Sequence, residues 1–217
     1  MPKTYISNSE ESVRMFKSNW MEALSKVPFF VPLIVYIPVI AFLTYESFAQ
    51  GAGIGYFFLF LIFGLFIWTI TEYILHRFVF HFVPKSKWGQ RLHFIFHGVH
   101  HDYPQDANRL VMPPSASIPL AILFYLFFRL FFSDLGHLLS FFTGFITGYL
   151  IYDMMHYAFH HFRINNKFFQ KLKAQHMLHH YQDPHKGYGV STLMWDDLFH
   201  TNFPSKKMTS GKTTVSK

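Results

Sequence analysis

Histidine is the residue type in this chain whose number and spacing could do chemistry. The segment LHRFVFHFVPKSKWGQRLHFIFHGVHH carries His76, His81, His93, His97, His100 and His101. Two later patches, HYAFHH and HMLHH, add His156, His160, His161 and His176, His179, His180. Neutral imidazoles crowd together without the repulsion carboxylates suffer, and they suit iron, zinc, copper and nickel. A dense field of ionisable rings with no ion to stabilise it is the poorer account. Two ions with about five ligands each would use about ten of these twelve rings. The chain has no cysteine, which excludes a disulfide, a thiolate ligand, an iron–sulfur cluster and a cysteine nucleophile. The remaining histidines, His137, His185 and His200, are read as packed structural residues.

Spacing sorts the set further. His97/His100/His101 and His176/His179/His180 each follow i, i+3, i+4, which puts three imidazoles on one helix face. His156 and His160 share a face, whereas His161 is turned away by ~100°. His76 and His81, at i, i+5, stand about 140° apart on a regular helix. They meet at one ion only if the helix loosens there, or if two ions straddle it. His93 stands one turn before His97 and, like His161, lies at the margin of the set. Glu72, one turn before His76, and Asp153, three residues before His156, are placed to accept a ring N–H and fix a tautomer. Pairing with a nearby Arg or Tyr is the alternative, and spacing does not choose between them.

The elements that must position these rings are apolar. Hydrophobic residues make up 51% of the chain and charged residues 14%, with 29 Phe, against about 25% charged in a soluble domain. Hydropathy predicts an all-α integral membrane fold with four transmembrane helices at 28–49, 54–75, 117–132 and 135–160. They form two hairpins turned at 50–53 and 133–136, topped by a cytoplasmic histidine-rich helical cap. Pro32 and Pro38 are tolerated as kinks in the first span, and the third span is short at about sixteen residues. Residues 1–27 read as a polar lead-in with a short interfacial helix (Val13, Phe16, Trp20, Leu24) and no signal-peptide pattern. The membrane domain covers 28–204, and 205–217 read as a disordered basic tail. Apart from Arg77 and Arg129, at or near span ends, every Lys and Arg falls in the N-terminal, middle or C-terminal segment, and the two short turns carry none. The positive-inside rule then puts the metal site and both termini in the cytoplasm, at a bacterial inner membrane or a eukaryotic endoplasmic reticulum. The net charge of +7 is largely this one-sided bias, and no basic face on a soluble fold calls for nucleic acid.

Beyond the histidines, HRFVFH, HGVHHDYPQDANRLVMPP, YDMMHYAFHH and KAQHMLHHYQDPHKGYGVSTLMWDDLF together resemble the fatty acid 2-hydroxylase branch of the fatty acid hydroxylase/sterol desaturase superfamily, over roughly residues 55–201. The resemblance implies a non-haem di-iron centre that uses O2 and two electrons to insert oxygen at C2 of an acyl chain, often one in a ceramide. Zinc is able to take the place of iron in purified protein. Residue by residue, it implies His76, His81, His97, His100, His101, His156, His160, His176, His179 and His180 as ligands. His93 and His161 would be neighbours of the metals. Many eukaryotic members carry a fused cytochrome b5 domain. Residues 1–27 are too short for one, so the expected electron donor is a separate cytochrome b5-like or ferredoxin-like protein.

Three classes of function compete. One is a lipid hydroxylase acting on a fatty acid or a sphingolipid N-acyl chain. Another is a carotenoid or sterol hydroxylation, or a desaturation, on the same scaffold. The third is a metal carrier, which would want ionisable groups near the bilayer midplane. Here the histidines gather at one face. For a lipid head group, Tyr103, Asp106, Arg109, Tyr188 and Trp195 are the candidate contacts. A basic surface of Lys85, Lys87, Lys171 and Lys173 suits an acidic donor or anionic lipid.

Overall fold

The computed structural model describes residues 5–204, so the tail expected at 205–217 lies outside the described residues. In chain order the helices are α1 (Asn19–Leu24), α2 (Val31–Ala49) and α3 (Ile54–Ile74), the last continued by a π-helical segment, Leu75–Phe80. There follow α4 (Lys87–His93), a second π-helical segment (Phe94–Gly98), α5 (Val99–Asp102) and α6 (Pro114–Arg129). The chain closes with α7 (Leu135–His161), α8 (Lys167–Tyr181) and α9 (Met194–Leu198). Among the described residues there is no β-strand.

The all-α expectation stands, but the count of spans does not. Among the described residues three helices are long and apolar enough to cross a bilayer: Val31–Ala49, Ile54–Phe80 and Leu135–His161. The third expected span is α6, with 16 residues, or ~24 Å of helix against ~30 Å of hydrocarbon. Its start is fixed by Pro114 at the first helical position. Its end is set by the turn into α7, where the Asp134 carboxylate accepts the His137 N–H at 2.7 Å. Apolar composition counted as a span a segment whose sixteen residues, as expected and as found, are too few to cross.

The core is α7, which buries Leu138, Phe141, Phe145 and Ile146 on successive turns. Lipid is as apolar as leucine, so helices in a bilayer associate by close packing of small residues. Here Gly64 of α3 and Gly144 of α7 do that: a Cβ at either would overlap the backbone of Phe141 or Leu61 across the interface. On the opposite side Tyr36 of α2 meets Tyr149 edge-on at 5.0 Å. Ile34, Phe42, Leu59, Ile62, Ile122 and Leu123 are exposed on the outer faces of α2, α3 and α6, where lipid belongs.

The lead-in is tied to the rest of the fold. Its helix is six residues long, and a buried ion pair ties it down. Arg109 reaches Glu22 at 2.6 Å and Asp106 at 3.3 Å, and it donates to the Val13 carbonyl at 2.6 Å. Glu22 in turn accepts the Met15 and Phe16 N–H groups, both at 2.9 Å. Burial alone would raise the Glu22 pKa. Hydrogen bonds from Phe16, Lys26 and Met15 and the Arg109 charge outweigh it, and the carboxyl is held at about 2.

Candidate metal centre

The ten histidines implied by the resemblance form two groups of five. One comprises His76, His81, His97, His101 and His179, the other His100, His156, His160, His176 and His180. Within each group one ring nitrogen per residue lies within 4.8 Å of all the others. The groups touch where His101 and His180 stack at 4.2 Å. His93 and His161 fall outside both groups, the latter stacked on Tyr157 at 4.7 Å. His137 packs on Tyr56 and Phe60 at the opposite end of the bundle. His185 and His200 are exposed rather than packed, because both lie in surface turns.

Local helix geometry explains the sorting. The i, i+5 pair meets because α3 widens into a π-helix: the His81 N–H donates to the His76 carbonyl at 3.1 Å, and the two Nε2 atoms come to 3.2 Å. Each i, i+3, i+4 triplet is divided. The i, i+4 pair His97/His101 serves the first group while His100 turns to the second. On α8, His176 and His180 serve the second group and His179 the first. The two helices therefore exchange one ring each, which couples the groups mechanically.

Nε2 atoms contact one another at 3.2, 3.2, 3.0 and 3.2 Å around the first group. In the second, His156–His100, His160–His176 and His180–His176 stand at 2.7, 3.0 and 3.2 Å. Tautomers decide what such contacts mean. His179 Nδ1 donates to the Lys186 carbonyl at 2.7 Å, and His76 Nδ1 to the Tyr188 carbonyl. A carbonyl only accepts, so in these neutral rings Nε2 holds a lone pair. Burial, reinforced by neighbouring imidazoles, pushes His97, His101, His176 and His180 well below the ordinary histidine range. Converging neutral nitrogen donors with no thiolate among them fit a pair of borderline metal ions, iron included.

Neither carboxylate expected to orient a ring reaches one. Glu72 accepts the Val190 and Ser191 N–H groups at 2.6 and 2.9 Å. Asp153 accepts the Met112 N–H and the Tyr149 hydroxyl, both at 3.2 Å. Glu72 lies three residues short of the π-helical turn, and its carboxylate is taken up by the glycine-rich loop. That loop supplies the carbonyls of Lys186 and Tyr188, so Glu72 orients His179 and His76 at one remove. Asp196, which the sequence reading passed over, holds the loop from its other side through the Tyr188 and Gly189 N–H groups at 3.0 and 2.7 Å. The signal was there, as an acidic residue just after GYGVST; nothing local in the sequence says which backbone it faces.

A cavity of about 300 Å³ reaches both groups, bordered by His97 of the first and by His100 and His156 of the second. Met15, Phe16, Trp20 and Met21 of the lead-in close one wall, a role that its amphipathic spacing only hinted at. Of the five head-group candidates Arg109 borders the cavity, with its guanidinium held by Glu22 and Asp106. Asp106 also accepts the Ser12 hydroxyl at 2.6 Å. Tyr188 packs on His76 at 5.7 Å, Trp195 donates from its indole to Thr69 at 3.0 Å, and Tyr103 terminates α5.

A bundle of membrane-crossing helices that carries two five-imidazole groups at one end, with an apolar cavity against both, is the architecture of a membrane enzyme with a non-haem di-metal centre. Residues 60–201 match the fatty acid hydroxylase family model, and the chain belongs to that family. It is 35% identical to dihydroceramide fatty acyl 2-hydroxylase FAH1 of Arabidopsis thaliana, over 89% of this chain and 81% of that one. It is 38% identical to ceramide very long chain fatty acid hydroxylase scs7 of Schizosaccharomyces pombe, over 86% and 54%. Among solved structures, full-length scs7p, in which only the hydroxylase domain is visible, superposes with a TM-score of 0.79 at 35% identity. The match covers 86% of this chain and 70% of that one. The chain is thus a family enzyme acting on acyl chains, and the metal-carrier reading lapses.

Proposed function

We propose that the protein hydroxylates C2 of an acyl chain, in a free fatty acid or an N-acyl sphingolipid, at two iron ions held by the two groups of five histidines. One observation carries this reading: a single apolar cavity borders rings from both groups, so one carbon can be presented to both ions at once. The plant relative, a dihydroceramide fatty acyl 2-hydroxylase, supports the choice of C2, and it and the fungal ceramide hydroxylase support a ceramide-type substrate. Bound iron, with O2 and two electrons, supplies the power to oxidise an unactivated C–H bond, chemistry that protein side chains lack.

The chain's own residues do the rest. Glu72 and Asp196 fix the loop whose carbonyls set the His76 and His179 tautomers, and they keep those Nε2 lone pairs aimed inward. The cavity walls hold the acyl chain and exclude water from the reacting carbon. Arg109, alone of the five candidates on the cavity wall, is the residue proposed to stand nearest the head group. The histidine end faces the cytoplasm, since the flanking Lys and Arg lie there. Electrons arrive from an acidic cytochrome b5-like or ferredoxin-like protein docking near the exposed Lys85, Lys87 and Lys171.

The test is to express the protein with a donor and profile acyl lipids by mass spectrometry. 2-Hydroxy chains are expected. New double bonds, or no change in an active preparation, would sink the proposal. His179→Ala should give no product while the protein stays in the membrane.

A further inference from the structure

We infer that the groove between α3 and α6, floored by α7, is where the acyl tail lies, and that Met112 and Ala121 set the chain length accepted. This rests on the proposed reaction at the cavity. A second, smaller cavity of about 30 Å³ lies deeper in the bundle, between Trp68 and Leu75 of α3, Leu120 and Ala121 of α6, and Ile146 and Tyr149 of α7. Met112 borders both cavities. A methionine at that junction is an unbranched, adaptable side chain that can swing between rotamers.

Through the shared Met112 we read the two cavities as ends of one cleft. α6 buries only Ser117 and Phe128, and its Ala121, Phe124 and Tyr125 are partly buried against the core. At its far end the cleft is shut by a ring cluster. Phe128 meets Phe141 at 4.7 Å, Phe132 meets Phe141 at 5.1 Å, and Phe60 of α3 meets Phe132 at 5.7 Å. α3 and α6 therefore diverge toward the metal centre and converge away from it. From His156 down α7 to Phe145 the wedge runs about 16 Å at 1.5 Å per residue.

Polarity gives the substrate its direction. The larger cavity carries Ser25, Arg109 and Ser115 on the side of the lead-in, where a carboxyl or amide head group finds partners. On the Met112 side the two hydroxyls are already engaged. Ser117 accepts from Tyr36 at 2.8 Å and Tyr149 donates to Asp153 at 3.2 Å; with the indole N–H of Trp68, which has no partner among the described residues, these are the polar side-chain groups of a lining that is otherwise apolar. With its head by Arg109 and its tail in the groove, the lipid places the carbon next to its carbonyl beside His97, His100 and His156. The competing exit for the tail lies past the exposed Trp20, Met21 and Phe96.

Two measurements test this. In the first, Ala121→Phe fills the groove, and kcat/KM is compared over saturated chains from myristoyl to lignoceroyl. The long-to-short ratio should fall roughly ten-fold or more, the effect of about one misplaced methylene. Leu123→Phe, on the lipid face of the same helix, should leave the ratio unchanged. An Ala121→Phe profile like the wild type, or an equal loss at every length with metal content intact, overturns the inference. In the second, palmitic acid with a diazirine near its methyl end should label the α6 segment around Ala121 and Phe124. Labelling of α1 instead overturns it. Should Ala121→Phe fail to reach the membrane, Ala121→Leu and the photolabel still decide. A wild type that labels in the groove but makes no 2-hydroxy chain would sink the proposed reaction and leave the groove standing.

Discussion

α6 and α7 are consecutive helices of one hairpin, both apolar, and they have opposite fates. α7 runs 27 residues and is buried on almost every side, its Ser140 and Thr143 hydroxyls donating back to the Gly136 and Leu139 carbonyls at 2.7 Å. α6 runs 16 residues and buries two. What separates them is not apolarity: α3 is the most apolar of the three long helices and is largely exposed, while α7 is the least apolar and mostly buried. In water the apolar face turns inward. In lipid, the helix with glycines and hydroxyls goes to the centre, because close approach and hydrogen bonds are what remain to hold helices together.

Substitutions on the two helices can break or sharpen that contrast. The largest effect is expected from His156→Ala at the histidine-bearing end of α7. Product should vanish with the protein still in the membrane, and persistent hydroxylation would contradict the ligand assignment. Glu72→Gln, on the helix that α7 packs against, should lower activity or metal affinity ~10–100-fold through the loosened loop. Unchanged metal stoichiometry together with unchanged turnover would remove that role. Gly144→Val should cost about 1–3 kcal/mol by forcing α3 off α7, read as a lower Tm in detergent; an unshifted Tm would refute the close contact. On α6, Leu123→Ala should stay within ~0.5 kcal/mol, as for a surface site.

Between these lies the lead-in, whose hold on the cavity wall depends on pH. Glu22 is held at about 2 against an ordinary 4.5, so its stabilising contribution is complete above 4.5 and is lost as pH falls toward 2. Limited proteolysis near Met15 should therefore rise on acidification through that window. Glu22→Gln should show the same sensitivity already at neutral pH, and a protected segment in that variant would mean the ion pair does not anchor it.

Much of the centre was legible because metal ligation constrains both residue type and spacing. The ten clustered rings are the ten that the family pattern implies, and of the two arrangements open to the i, i+5 pair His76/His81 the structure takes the loosened helix. Their division was not legible. His100 and His179 leave their own triplets for the other group, which depends on how α5 and α8 face each other. The cavity wall was also hidden, since Met15 and Trp20 are ordinary lead-in residues until Arg109 draws them over the site.

The sequence by itself determined the chemistry available, nitrogen donors without thiolates beside apolar helices, because composition and periodicity are local properties of the chain. Only the tertiary structure decided which five rings meet, what walls the cavity, and which loop Glu72 holds. Those outcomes depend on contacts between segments far apart in sequence, where a shift of a few ångströms changes every partner.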